Sequence, residues 1–444
     1  MKILRMAVAA AAVLSGTVAM TQLPTSALQF SYSSCIQIQN LSGGVAVTQV
    51  AFYNADGSSG GTSTANIPAN KSVTLCPLSD VTSGFNGSAI ISSDQQVAAV
   101  VNVSGNTQFA NASYIGFAQG AANLEIPLLM KDNYGYNTWF KVQNIGSGPA
   151  NISVTYSDGT TANQNNIAVG AAATFDQASE THSAAVFAAT VSSSQPLVAT
   201  VIEESTTTML AYNAFTADAT STAPVMPLIN ANNYGFITGV QIKNGGGSPT
   251  TVTLSYTPSQ AGTACTETQT IGAGQSATFA LNTFTFATPA GVTSNCVKGA
   301  TFIGSARVTA NSANSPLTAI VNQTNGTSNQ GEAYGAFSSA LATNVVVMPL
   351  IMDKNYGWST GLAVMNVGGS DTTVNCTFTD NARTLSATLA PGAALTDQQV
   401  GKMADGYVGA ATCTAGAGGK IVGVVNEVNE EGGDKFMVYE SITK

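Results

Sequence analysis

One strand pattern occurs four times along this chain, and that repetition limits the fold more than any other feature. Three segments read IPLLMKDNYGYNTWFKVQN, MPLINANNYGFITGVQIKN and MPLIMDKNYGWSTGLAVMN. In them Pro127, Pro227 and Pro349 stand 17 residues before Asn144, Asn244 and Asn366. A fourth copy of the later half, CIQIQN, ends at Asn40. Twelve residues after each marker Asn comes an aromatic: Phe52, Tyr156, Tyr256 and Phe378. Two and four residues before each aromatic lie Val50 and Thr48, Val154 and Ile152, Leu254 and Val252, or Cys376 and Val374. That alternation has the period of two of a half-buried strand.

The rest of the unit recurs as well. Strands near Leu75, Phe175, Phe279 and Leu395 lead to the small-residue runs GSAII, AATV, GSARV and GAATC. The apolar runs VAAVVN, LVATVI, LTAIVN and IVGVVN follow, and each copy closes on a tyrosine: Tyr114, Tyr212, Tyr334 or Tyr439. Short strands with Asp-Gly, Gly-Gly and Asn-Gly turns between them predict an all-β chain, a tandem array of four antiparallel β-sandwich domains. The expected limits are 28–120, 121–220, 221–342 and 343–444. Small-residue junctions (AQGAANL, TADATSTA, SSALATNV) predict a semi-rigid rod rather than freely jointed domains.

These segments resemble the tandem immunoglobulin-like β-sandwich repeats of bacterial cell-surface and extracellular-matrix proteins. The resemblance runs through the PLxxxxNYG and AxVN segments of the whole chain beyond residue 27. It implies a structural, adhesive or glycan-contacting role and transfers no functional residue.

Residues 1–27 read as a secretory signal peptide. Lys2 and Arg5 form a basic start, Met6 to Val18 a short apolar run, and small residues offer cleavage after Ala19 or after Ala27. No later run reaches the 18 or so uninterrupted apolar residues of a membrane-spanning helix. The expected location is therefore outside the cell or on its surface. All six cysteines lie beyond the signal, and their even number predicts disulfides Cys35–Cys76, Cys265–Cys296 and Cys376–Cys413, each within one domain. The last bridge is expected to join two inward positions facing each other across the sandwich core.

Charge restricts the function. Only 8% of residues are Asp, Glu, Lys or Arg, against about 25% in ordinary globular proteins. Removing Lys2 and Arg5 from the 14 basic residues leaves 12 against 23 acidic, a net of −11. A chain this acidic offers no basic patch to a phosphate backbone, which argues against nucleic acid as a partner. Few charges also favour side-by-side packing with copies of itself, since few must be desolvated.

No catalytic set, metal site or cofactor is expected. His182, the one histidine, belongs to a single copy and is expected on the surface, with no GxSxG-like elbow nearby. Glu203 and Glu204 are strand neighbours that point to opposite faces and so cannot flank one sugar. Their position reads as a tolerant strand end.

The NYG turns are the best candidates for ligand contact. Tyr134, Tyr136, Tyr234, Phe236, Tyr356 and Trp358 recur beside Asp132, Asn133, Asn232, Asn233, Asp353 and Asn355. Exposed rings with amides can stack on and hydrogen-bond a sugar, and the side-chain oxygens are of the type that ligates Ca²⁺, although no EF-hand spacing occurs. The plainer expectation is that the rings cover the sandwich end or an interdomain joint. Glycosylation sequons stand at Asn40, Asn86, Asn102, Asn111, Asn151, Asn322, Asn325 and Asn375. The first copy has only QLPTSALQF in place of a PL strand, so cleavage after Ala27 would leave its sheet with an open edge.

Function is thus expected to be that of a secreted, non-enzymatic structural protein of an extracellular layer, filament or matrix, with itself as partner. The alternative is an adhesin that binds extracellular glycans through the NYG aromatics.

Overall fold

The computed structural model describes residues 4–8, 32–105, 110–312, 315–429 and 434–444, with side chains from residue 32 onward. Most of the expected signal segment, with both cleavage sites, lies outside the described residues. The chain is all-β: its strands pair antiparallel in several sheets, and among the described residues regular helix is confined to three short turns. It divides into two compact units, residues 1–217 and 218–444.

In the first unit, one sheet orders Leu4–Val8, Gly87–Ser93, Ala46–Asn54 and Ser59–Ile67. A second orders Ser72–Leu75, Tyr32–Asn40, Val97–Gly105 and Asn111–Ile115. The core is filled from both, by Ile36, Ile38 and Val101 on one side and Val50, Phe52 and Ile91 on the other, which makes the arrangement sandwich-like. In the next repeat the long strand Val186–Glu204 serves both faces. Its first half pairs with Ala121–Met130 and Ala150–Tyr156, its second with Asn137–Asn144 and Met209–Asn213. The second unit holds four sheets of six, four, five and four strands.

The alternation read from the sequence is the observed burial. In Ala150–Tyr156 and Thr372–Phe378 every second residue is buried and the residues between are exposed. Each apolar side chain so buried contributes about 1.5–3 kcal/mol.

The marker asparagines have a structural cause. Asn144 Nδ2 donates to the carbonyls of Gly148 (2.8 Å) and Ile167 (2.9 Å), and its Oδ1 accepts from the Gly146 N–H (2.9 Å). Asn40, Asn244 and Asn366 repeat this set with Gly44 and Ile67, Ser248 and Ile271, and Ser370 and Leu389. A fully buried amide thus satisfies backbone groups that the turn leaves out of the ladder. Asn40 therefore does not present its sequon, and Asn111 and Asn325 are buried too.

The three expected disulfides are present, with Cα–Cα separations of 4.8, 5.0 and 3.9 Å for Cys35–Cys76, Cys265–Cys296 and Cys376–Cys413. The last differs from expectation in its path. Cys376 and Cys413 are direct cross-strand neighbours within one sheet, in the register of Val154 with Val191 and Leu254 with Val308. The bridge staples adjacent strands and does not cross the core.

Successive repeats hydrogen-bond to one another within each unit. In the first unit, Ser88 Oγ donates to the Gly170 carbonyl (2.5 Å) and Asn213 Nδ2 to the Ile115 carbonyl (2.8 Å). Buried Lys141 donates to Asn86 Oδ1, and burial lowers its amine to about 8. In the second unit, Arg307 donates to the Val367 carbonyl (2.9 Å) and the Gly331 N–H to Asp434 Oδ1 (2.8 Å).

Candidate functional site

Each NYG segment is a two-residue hairpin tip. Asn133 and Tyr136 exchange both backbone hydrogen bonds at 3.0 Å, as do Asn355 and Trp358 at 2.9 Å. The two central residues are left-handed in every copy: Tyr134 and Gly135 at φ 50° and 85°, Tyr234 and Gly235 at 49° and 88°, Tyr356 and Gly357 at 49° and 83°. That is the pattern of a type I′ turn, whose twist matches the flanking strands and whose usual residues are Asn-Gly. A tyrosine in the first central position is strained, because its Cβ crowds the backbone there.

The strained rings face solvent. Tyr134, Tyr234 and Tyr356 are 98%, 92% and 92% exposed, so the expectation that the NYG aromatics are cover fails for these three. It holds better for their partners. Tyr136, Phe236 and Trp358 are half-buried, and Phe236 packs on Phe436 with ring centroids 4.9 Å apart. In the second unit an asparagine of a neighbouring strand holds each tip. Asn325 Nδ2 donates to the Tyr234 carbonyl (2.8 Å) and Asn429 Nδ2 to the Tyr356 carbonyl (3.2 Å). A Cβ at Gly235 or Gly357 would press within about 3 Å of those amides, so only glycine fits. The sequence offered no signal for this clamp, because Asn325 and Asn429 lie far from the tips in the chain.

The acidic and amide neighbours are used for structure. Asp353 is buried and its carboxylate accepts from the N–H groups of Gly401, Lys402 and Met403 at 2.7–2.8 Å. Asp132 and Asn137 hydrogen-bond each other, and Asn232 Nδ2 donates to the Phe284 and Ala300 carbonyls. No group of three or more His, Cys, Asp or Glu is gathered as a metal site among the described residues.

His182 is not on the surface. Its ring stacks on Phe187 (centroids 4.0 Å apart) and meets Tyr156 edge-on, and its side chain is fully covered. Nδ1 lies 3.1 Å from Asp158 Oδ2, and Nε2 3.8 Å from Glu180 Oε2. Burial lowers the imidazole against the opposing pull of Asp158. Burial also opposes ionisation of Asp158, but hydrogen bonds from Thr160, Ser183 and His182 outweigh it and hold the carboxyl at about 2. Ser183 spends its hydroxyl on the Asp158 carbonyl (3.3 Å), so it is not aligned with the imidazole as a nucleophile.

Glu203 and Glu204 are fully buried, not at an exposed strand end. Glu204 accepts from the Tyr32 hydroxyl and from Trp139 Nε1 (3.2 Å), against the neighbouring repeat. Glu203 pairs in register with Leu210 of the adjacent strand. An open cleft of about 570 Å³ lies beside Thr160 and Glu180, and another of about 620 Å³ lies beside Arg307 and Lys420.

No family model and no curated protein matches the chain. Solved structures align weakly, the following two among them. Dimeric latent PorU from Porphyromonas gingivalis is similar at 11% identity and a TM-score of 0.12, with 78% of this chain and 32% of that one covered. The native conformation of E. coli alpha-2-macroglobulin is similar at 8% identity and a TM-score of 0.10, with 92% and 28% covered. The chain spans about a third of either length, and alignments at these scores carry no argument about fold or function. No helix among the described residues is long and apolar enough to cross a membrane.

Proposed function

We propose that this chain is an exported, non-enzymatic structural protein of an extracellular layer, filament or matrix, built of immunoglobulin-like sandwich repeats that touch their surroundings through Tyr-Gly hairpin tips. The observation that carries this reading is the set Tyr134, Tyr234 and Tyr356. Three large rings stand in solvent on strained backbone, an arrangement that costs stability and returns none to the fold. Strain of this kind persists where it serves a contact. Tyrosine brings broad contact area with few rotatable bonds, which keeps the entropy of binding low.

A second reading rests on the same rings. Exposed tyrosines beside amide side chains suit stacking on sugars, which makes the chain a glycan-binding adhesin. Electron microscopy of the purified exported protein, together with a glycan array, separates the two. Ordered assemblies lost in the triple Tyr→Asn variant support the structural role; saturable glycan binding lost in that variant supports the adhesin. A chain that neither assembles nor binds glycans sinks both.

A further inference from the structure

Three repeats share a device that is not found among the described residues of the first. In each, the opening strand carries one extra residue at its Pro-Leu step. Ile126 faces Ala189 but Leu129 faces Phe187; Met226 faces Ala306 but Ile229 faces Gly304; Met348 faces Ala411 but Ile351 faces Gly409. The bulge leaves the leucine's N–H and C=O out of the ladder. The closing tyrosine satisfies both: the Tyr212, Tyr334 and Tyr439 hydroxyls accept from the N–H of Leu128, Leu228 and Leu350 at 3.1–3.3 Å and donate to the same residues' carbonyls.

Tyr114 occupies this place in the first repeat. It pairs with Val101 as Tyr212 pairs with Val201, it is 2% exposed, and its hydroxyl has no hydrogen-bond partner. The opening strand of the first repeat is also different. Leu4–Val8 lies along Gly87–Ser93 and ends with Val8 opposite Ala89, the register held elsewhere by Ile126, Met226 and Met348. No Pro-Leu follows Val8 in the sequence.

We propose that the Gly87–Ser93 edge is an acceptor for a strand of another polypeptide, antiparallel to it and carrying an apolar residue, then Pro, then Leu, with the leucine backbone closing on the Tyr114 hydroxyl. Such a donor adds main-chain hydrogen bonds along the edge and side chains into the sandwich, a recurrent mode of assembly. The inference rests on residues 1–27 being a leader, since Leu4–Val8 then leaves the edge on export and uncovers a full strand.

The test uses the exported protein, its N-terminus read by mass spectrometry, and a synthetic peptide of residues 121–130 with a solubilising lysine tail. The expected result is saturable binding that raises the melting temperature and that Tyr114→Phe weakens about tenfold, the worth of a buried hydrogen bond. Without peptide, Tyr114→Phe should melt no lower than the parent, because it removes a hydroxyl that has no partner. Dimers that the peptide dissociates would identify a second copy as the natural donor; a monomer that binds the peptide would place the donor on another protein. An exported chain that retains Leu4–Val8 overturns the proposal through its leader, with the edge filled from within. Loss of the leader with no binding up to about 100 μM, or binding indifferent to Tyr114→Phe, overturns the acceptor site itself.

Discussion

The hydroxyl of Tyr439 accepts the N–H of Leu350 at 3.1 Å and donates to the carbonyl of that same residue. One side chain thereby satisfies both polar groups of a residue that has left its sheet. The arrangement ties the strand Phe436–Glu440 to the opening strand of the repeat, across 89 residues. Loss of that oxygen leaves two backbone groups buried and unpaired.

Tyr212→Phe, Tyr334→Phe and Tyr439→Phe should therefore each destabilise their unit by about 1–3 kcal/mol, the cost of a buried polar group left without a partner. Urea denaturation, with the m-value unchanged, is the measurement. A set of three neutral substitutions would mean that the bulged leucine finds other partners.

The alternation of strands and the cysteine pairs were legible in the sequence because each depends on local spacing. Val154 and Cys376 sit inward for the same reason, a period of two. What stayed hidden depends on contacts between distant residues. The burial of Glu204 is set by Tyr32, 172 positions away, and that of Glu440 by its place against Gly335. Nothing in the sequence near His182 announces that Phe187 and Tyr156 enclose it. The tips are an intermediate case: NYG reads as a turn, but which of its two aromatics faces solvent follows from the left-handed backbone at the first.

The buried carboxyls should make the second unit pH-sensitive. Burial raises Glu440 to about 7 and Glu332 well above its ordinary value. Both folded values lie above the unfolded value near 4.5. Their contribution is thus fully present below about pH 4.5 and is lost as pH rises through the folded values. For Glu440 the shift corresponds to roughly 3 kcal/mol at most. Stability of the second unit should fall between about pH 5 and 8, and Glu440→Gln should flatten that slope. A slope unchanged in Glu440→Gln and Glu332→Gln would remove these groups as its cause.

His182 acts in the opposite direction on the first unit. Its folded pKa is lowered, so its contribution is present above the unfolded value of about 6.5 and is lost as pH falls through the folded one. His182→Gln should reduce the loss of stability as pH falls below about 6.5, followed by thermal melts across pH. An equal acid sensitivity in the variant would assign the effect to other groups.

The Tyr-Gly tips predict a trade between stability and contact. Tyr134, Tyr234 and Tyr356 hold φ near +50°, where asparagine is better tolerated because its short polar side chain bonds locally. Each Tyr→Asn change removes a ring that is more than nine-tenths exposed, so almost no packing is lost. Relief of backbone strain should then dominate, raising stability by roughly 0.5–1 kcal/mol per site. The same triple variant should lose assembly or glycan binding. Thermal melts and binding are read on one preparation, which keeps misfolding from passing as lost contact. A triple variant that melts lower than the parent would show that the rings pack on the fold after all, and the tyrosines would then lose their claim to be a contact surface.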